Sequence, residues 1–253
     1  MIELKEVCFS YSEMMALNNI HLNIKSGEAI AFMGPNGCGK STLLKLMNGI
    51  ISPDRGSYWF MGEEITQKKL QDVSFTKSLH QKIGFVFQNS DTQLFCSSVY
   101  DEIAFGPRQM GLSETEVEKR VHDCLALLGI EAFKDRVPYH LSGGEKRKVA
   151  VACVMSMNPE VLILDEPMNG LDPKTQRWLV DFLKKLNQAG KTLITSTHNL
   201  ELVQELSTRA VLFDESHTIV ADRLTNELLK DVELLKRVNL VDPHYGNTLS
   251  DGE

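Results

Sequence analysis

Nine consecutive residues, Gly34 to Thr42, read GPNGCGKST and stand between the apolar run 29–33 and the helix-like stretch 43–47. The spacing G-x-x-x-x-G-K-[ST] is phosphate chemistry. Gly34, Gly37 and Gly39 let a backbone that also contains Pro35, Asn36 and Cys38 visit dihedrals closed to side chains, so that its N–H groups point inward at phosphate oxygens. Lys40 then reaches the β- and γ-phosphates, Ser41 offers its hydroxyl to Mg²⁺, and Thr42 closes the motif. A glycine-rich turn by itself needs neither the lysine nor the hydroxyl at these offsets.

Four further polar residues follow apolar runs. Gln88 comes after 83–87, Asp165 and Glu166 after 161–164, and His198 after 192–197. If those runs are strands of one parallel sheet, ligands gather at their carboxyl ends and the four residues converge on the phosphate loop. Asp165 is then placed to hold Mg²⁺ directly or through water, and Glu166 to polarise a water for attack on a γ-phosphate. Singly, each reads as an ordinary cap or surface group; their shared position at one sheet edge gives them chemistry. A second anion site is expected at Leu141-Ser142-Gly143-Gly144-Glu145, because a serine and two glycines opening the helical pattern 146–157 present free N–H groups and a positive dipole end.

The elements that must position these residues follow from periodicity. Strands are expected at 2–11, 19–24, 57–61, 83–87, 161–164, 192–197 and 210–213, and helices at 113–128 and 175–189. In the first of these helices Ser113 and Glu116 read as a capping box, Val117, Val121, Leu125 and Leu128 form an apolar stripe, and Gly129 stops it. Buried strands alternating with helices predict an α/β fold, a largely parallel sheet covered on both faces.

At 253 residues the chain fits a single large domain, and 42% hydrophobic with 24% charged residues is ordinary globular composition. The net charge of −7 argues against nucleic acid as a partner, and the run Lys146-Arg147-Lys148 is too short to reverse that. Five scattered cysteines form no C-x-x-C pair, which disfavours a disulfide framework or zinc site and points to a reducing cytosol. The histidines other than His198 share no metal-site spacing. No apolar stretch approaches the roughly 20 residues that span a bilayer, so a membrane connection would run through a partner protein. The polar stretch from about Val238 to the end reads as loose.

Taken in order, these motifs resemble the nucleotide-binding subunits of ABC transporters over nearly the whole chain. The phosphate loop 34–42 is followed by a Q-loop at Gln88, the signature LSGGE at 141–145, the run VLILDEP ending in Asp165-Glu166-Pro167, a D-loop around Gly170-Leu171-Asp172 and a switch histidine at His198. The resemblance implies a P-loop NTPase core with a mainly parallel sheet, flanking helices and an antiparallel β subdomain, plus a helical subdomain. It places the core at about 1–89 and 159–222, the helical part at about 90–158, and a C-terminal helix and tail at 223–253. It further implies a head-to-tail dimer with a second ATPase subunit, identical or paralogous, that sandwiches two ATP molecules with Mg²⁺. Ser142, Gly143, Gly144 and Glu145 of one subunit would close on the γ-phosphate held by Lys40 of the other. Tyr11 would stack on adenine, Ser41 and Gln88 would ligate Mg²⁺ with Asp165 nearby, Glu166 would be the general base, His198 would steady the γ-phosphate and attacking water, and Asp172 would couple the two sites.

A narrower resemblance lies in the stretch FQN-x-D-x-QLF at 87–95 and DEIAFGP at 101–107, which is similar to ATPases of energy-coupling-factor importers, especially the cobalt and nickel branch. That resemblance implies a transmembrane coupling protein and a substrate-capturing membrane protein as partners, cobalt or nickel as cargo, and a peripheral position on the cytoplasmic face of the cell membrane. The short C-terminal segment, set against the long extension of many vitamin-importing relatives, leans the same way. Ser90 stands where relatives often have proline, and Asn169-Gly170 departs from the commoner D-loop pair. A vitamin-importing complex, another ABC importer and an ABC exporter remain alternatives, because the core motifs do not set the solute or the direction of transport. A translation or repair ATPase usually carries two such domains or a coiled-coil insertion, and a small-molecule kinase has no use for LSGGE.

Overall fold

In a computed structural model, which describes residues 1–242, two sheets and an inserted group of helices make up the chain. The larger sheet contains β3 (Ala29–Met33), β6 (Ile83–Val86), β7 (Val161–Asp165), β8 (Thr192–Ser196), β9 (Arg209–Phe213) and β10 (Ile219–Leu224) in the order β10-β9-β3-β8-β7-β6. All neighbours run parallel except β10, which pairs antiparallel with β9 at the edge. Every residue of β3, β6, β7 and β8 is buried. That explains the apolar runs of β3, β6 and the first four residues of β7, because both faces of the sheet are covered and no alternation is needed.

The smaller sheet is antiparallel, β2-β1-β4-β5, built from β1 (Ile2–Tyr11), β2 (Met14–Ile24), β4 (Arg55–Phe60) and β5 (Glu63–Glu64). Along β2 the buried Ile20, Leu22 and Ile24 alternate with exposed Asn19, His21 and Asn23, the pattern of a sheet with one wet face. The strand begins five residues before the predicted 19, since Met14, Met15 and Leu17 pair with β1 although their sequence lacks alternation. Between the two sheets lies α1 (Lys40–Met47), whose Leu43, Leu44, Leu46 and Met47 join one apolar cluster with both.

Two helices, α2 (Gln67–Leu70) and α3 (Val73–Lys82), precede β6, and three more separate β6 from β7: α4 (Val99–Gln109), α5 (Glu114–Leu128) and α6 (Gly143–Met155). The predicted stripe of α5 is buried, and Gly129 ends it in a left-handed conformation with φ of 62°. Its N-terminus corrects the expected capping box. Ser113 Oγ accepts from Glu116 N–H at 3.3 Å, but the Glu116 carboxylate turns to Arg120 Nε at 2.9 Å rather than back to the cap. A reciprocal box occurs instead at Ser142 and Glu145, so α6 starts within LSGGE rather than after it.

The remaining helices are α7 (Pro173–Gln188), α8 (Leu200–Leu206), α9 (Thr225–Leu228) and α10 (Val232–Arg237). The expected loose tail does not begin at Val238. That side chain is buried with Leu234 and Leu235, and Leu240 and Val241 pack against the same cluster. The rest of the tail, 243–253, lies outside the described residues.

Candidate nucleotide-binding and hydrolytic site

The strand order puts β3, β8, β7 and β6 side by side, so the residues following each stand along one carboxyl edge. Lys40, Ser41 and Thr42 of the phosphate loop, Gln88, Glu166 and His198 line one cavity of about 260 Å³ together with Asn36, Gly37, Gly39 and Asn169. Convergence of the sequence-predicted residues is therefore a property of sheet topology.

The loop conformation is enforced by its neighbours. Gly39 has φ of +105°, and a Cβ there would lie 2.2 Å from Ala16 O, a backbone atom that cannot yield. The antiparallel sheet thus presses against the end of the loop, and glycine alone satisfies both the dihedral and the space. Lys40 is 7% exposed, and its Nζ donates to Gly34 O at 2.8 Å and Pro35 O at 2.9 Å. It forms no ion pair with any described residue. A buried ammonium held by neutral groups fits an anion arriving as counter-charge. Cys38, also buried, places Sγ 3.6 Å from Lys40 Nζ; burial raises its thiol pKa, which keeps it a neutral packing group.

Asp165 at the end of β7 is 6% exposed and does not itself line the cavity. Its Oδ1 accepts from Ser41 Oγ at 3.0 Å and from Ser196 Oγ on the adjacent β8. A carboxylate and a hydroxyl, hard oxygen donors at hydrogen-bonding distance, are a donor set suited to Mg²⁺. Glu166 follows with a positive φ of 43°, uncommon for a side-chain-bearing residue. Two bonds hold its N–H, to Ser196 O at 3.0 Å and Ser196 Oγ at 3.2 Å. His198 Nδ1 lies 3.0 Å from Glu166 Oε1, so the histidine approaches the carboxylate from the neighbouring strand.

Other predicted residues stand apart from this cavity. Tyr11, 44% exposed, ends β1 with its ring edge-on to Phe9 at 4.9 Å, on the sheet that supports Gly39. Ser142 and Gly143 are exposed and do not line the cavity, nor do Gly144 and Glu145. Ser142 Oγ accepts from Glu145 N–H, and the Glu145 carboxylate receives Ser142 N–H and Oγ–H, each at 2.7 Å. The tip lies beside Gly170 of the D-loop and Thr175 of α7 in its own chain. A Cβ on Gly143 would come 3.9 Å from Gly170 O, and one on Gly144 would come 2.7 Å from Thr175 Oγ1. Asp172 caps α7, accepting from Lys174 N–H, Thr175 N–H and, at 2.6 Å, Thr175 Oγ1. Its carboxyl pKa is lowered by these bonds.

Sequence reasoning missed three groups. Ser196 binds both acidic neighbours, yet inside a Thr- and Ser-containing strand it carries no outward signal. Asn169 lines the cavity but stood out only as an unusual D-loop residue. Arg147, set aside within a basic run, is 2% exposed and donates to Phe87 O at 2.7 Å and Gln88 O at 2.6 Å.

Comparison with known proteins identifies the family. Residues 17–169 match the family model described as ABC transporter. The chain is 48% identical over 222 residues to the nickel import ATP-binding protein LarO of Lactiplantibacillus plantarum, covering 88% of this chain and 92% of that protein. It is 39% identical over 251 residues to the energy-coupling factor transporter ATP-binding protein EcfA of Methanothermobacter thermautotrophicus, covering 99% and 79%. Among solved structures, CbiO1 from Clostridium perfringens, described as part of the ABC transporter complex CbiONQ, superposes with a TM-score of 0.81 at 36% identity, covering 98% of each chain. A dimeric bacterial ABC transporter cassette, MJ0796, superposes with a TM-score of 0.80 at 31% identity, covering 89% and 99%.

Proposed function

This chain belongs to the ABC transporter family and is an ATPase, and from that premise we propose that it energises an energy-coupling-factor importer of nickel or cobalt ions. ABC cassettes act as dimers. The observation that carries the proposal is the separation of two anion-binding elements. Lys40, Glu166 and His198 line one cavity, while the Ser142–Glu145 tip lies outside it, beside Gly170 and Thr175 of its own chain. A triphosphate seated on Lys40 is therefore left for a second subunit to cover, in a head-to-tail dimer whose partner is identical or paralogous.

In this reading the loop N–H groups and Lys40 hold the β- and γ-phosphates, and Tyr11 stacks on adenine. Mg²⁺, held by Ser41 and Gln88 with Asp165 nearby, would neutralise charge developing on the phosphates. Glu166 takes the proton of the attacking water, His198 steadies the γ-phosphate and that water, and Asp172 couples the two sites through the D-loop it caps. In this reading metal-ion cargo is handled by the membrane partners. No helix among the described residues is long and apolar enough to cross a membrane.

The importer class rests on the 87–107 segment and on the relatives' names. That segment walls an apolar groove of about 520 Å³, with Phe95 and Phe105 exposed and packed edge-on at 5.0 Å. Buried Glu102 accepts the N–H groups of Phe95 and Cys96, fixing this wall. A helix of the transmembrane coupling protein is the occupant we assign to the groove. The test is reconstitution with an energy-coupling-factor membrane pair, followed by ATP-dependent uptake of Ni²⁺, Co²⁺ and vitamins. Uptake of either metal supports the proposal; uptake of a vitamin alone, or failure to assemble with those partners, overturns it.

A further inference from the structure

Buried groups, rather than surface pairs, fasten the helix bearing the Ser142–Glu145 tip to the segment bearing Gln88. Arg147 lies in the first turns of α6, forms no ion pair with any described residue, and commits Nη1 and Nη2 to the carbonyls of Phe87 and Gln88. Its Nε is buried without a partner. Gln93 supplies a second clip, accepting Phe87 N–H at 3.2 Å with Oε1 and donating from Nε2 to Ala150 O of α6 at 3.0 Å. Close approach is possible because β6 contains Gly84; a Cβ there would lie 2.2 Å from Val154 Cγ1 of α6. The Lys146–Asp91 pair at 2.7 Å joins the same two segments, but Asp91 is 65% exposed, so that pair adds little.

A charged fork bonding two adjacent carbonyls fixes the direction as well as the position of a backbone, and lysine cannot reproduce both contacts. Both ends of 87–93 are therefore tied to α6, while on the sheet side the stretch continues β6 and Phe87 packs against the core cluster and the Phe85 ring. We propose that Arg147 and Gln93 are positioning residues that make the Gln88 loop and α6 move as one piece. Engagement of Gln88 by the nucleotide in one protomer then sets the direction of the same protomer's Ser142–Glu145 tip toward its partner's nucleotide. The inference rests on the ATPase dimer proposed above.

Hydrogen–deuterium exchange on the full chain, with and without Mg²⁺ and a non-hydrolysable ATP analogue, reads this directly. In the wild type, residues 88–92 and 142–146 slow together. In Arg147→Met and Gln93→Leu, 88–92 still slow but 142–146 do not. Their kcat falls by about tenfold or more while KM for ATP moves by less than about twofold, since the Lys40 loop is untouched. Arg147→Lys, which keeps one of the two carbonyl bonds, recovers part of the lost kcat. Joint slowing of both segments in the variants, or a parallel loss of kcat and affinity, would overturn the proposal. Gln93→Leu carries the test should Arg147→Met fail to fold. A wild-type chain that binds nucleotide but never hydrolyses it would sink the ATPase assignment, and the exchange measurement would still report on the clip.

Discussion

Replacing Glu166 by glutamine isolates its chemistry because the change is almost isosteric. The side chain is 12% exposed, and its backbone conformation is held by Ser196 through main-chain bonds that the substitution leaves intact. The amide oxygen can still meet His198, whose Nδ1 is 3.0 Å from the carboxylate, so folding stability should change by no more than about 0.5 kcal/mol. What disappears is the proposed proton acceptor for the attacking water. A positioned base contributes about 10²- to 10⁴-fold, equivalent to about 2.7–5.4 kcal/mol of barrier. Removing a negative charge beside a triphosphate leaves ATP binding equal or tighter. Steady-state phosphate release should therefore fall at least about a hundredfold, while calorimetry shows undiminished MgATP binding and gel filtration shows a dimer accumulating in MgATP. Phosphate release within about tenfold of wild type would show that another group takes the proton.

Two further perturbations reach other parts of the molecule. Tyr11→Ala removes the proposed base platform at the end of β1; ATP affinity should fall by about 5- to 150-fold, the 1–3 kcal/mol typical of base–aromatic stacking, without altering the rate at saturation. Unchanged affinity by calorimetry would place adenine elsewhere. Glu102 bears on stability through pH: burial is the largest influence on its carboxyl and raises its pKa above the usual range. The folded state therefore binds a proton more readily than the unfolded one. Its contribution is greatest below an ordinary glutamate pKa of about 4.3 and declines as pH rises through the folded value. Urea unfolding of Glu102→Gln should lose that component of the decline between pH 4 and pH 7. An identical pH profile in the two proteins would refute it.

How much was legible in the sequence depended on whether the signal was local. β6 and β7 were legible because a strand buried on both faces reads as an apolar run, and α5 because its stripe and Gly129 agree. The phosphate loop, Gln88, Asp165, Glu166 and His198 could be gathered in advance because parallel topology sends strand ends to one edge. The start of β2 was not legible, since Met14 and Met15 are exposed and carry no alternation. Neither was the fate of Glu116, which chose between two partners within reach, its cap and Arg120. Arg147 was hidden for a different reason. Between two lysines it looks solvated, and only the approach of α6 to β6 over Gly84 reveals that it is buried. Contacts between distant segments, such as Ser196 to Asp165 or Gln93 to Ala150, leave no periodic trace in either segment.

The central claim is that a working site takes its phosphate loop from one chain and its glycine-rich helix tip from another. Mixing two variants, Lys40→Ala and Ser142→Arg, tests it most directly. Each alone should lack ATPase activity, because every site in its dimer has either a defective loop or a defective tip. Random pairing in an equal mixture makes half the dimers mixed, each with one intact composite site, so activity should return to about a quarter of the wild-type level. A mixture as inactive as its two components, with dimers present, would contradict the account.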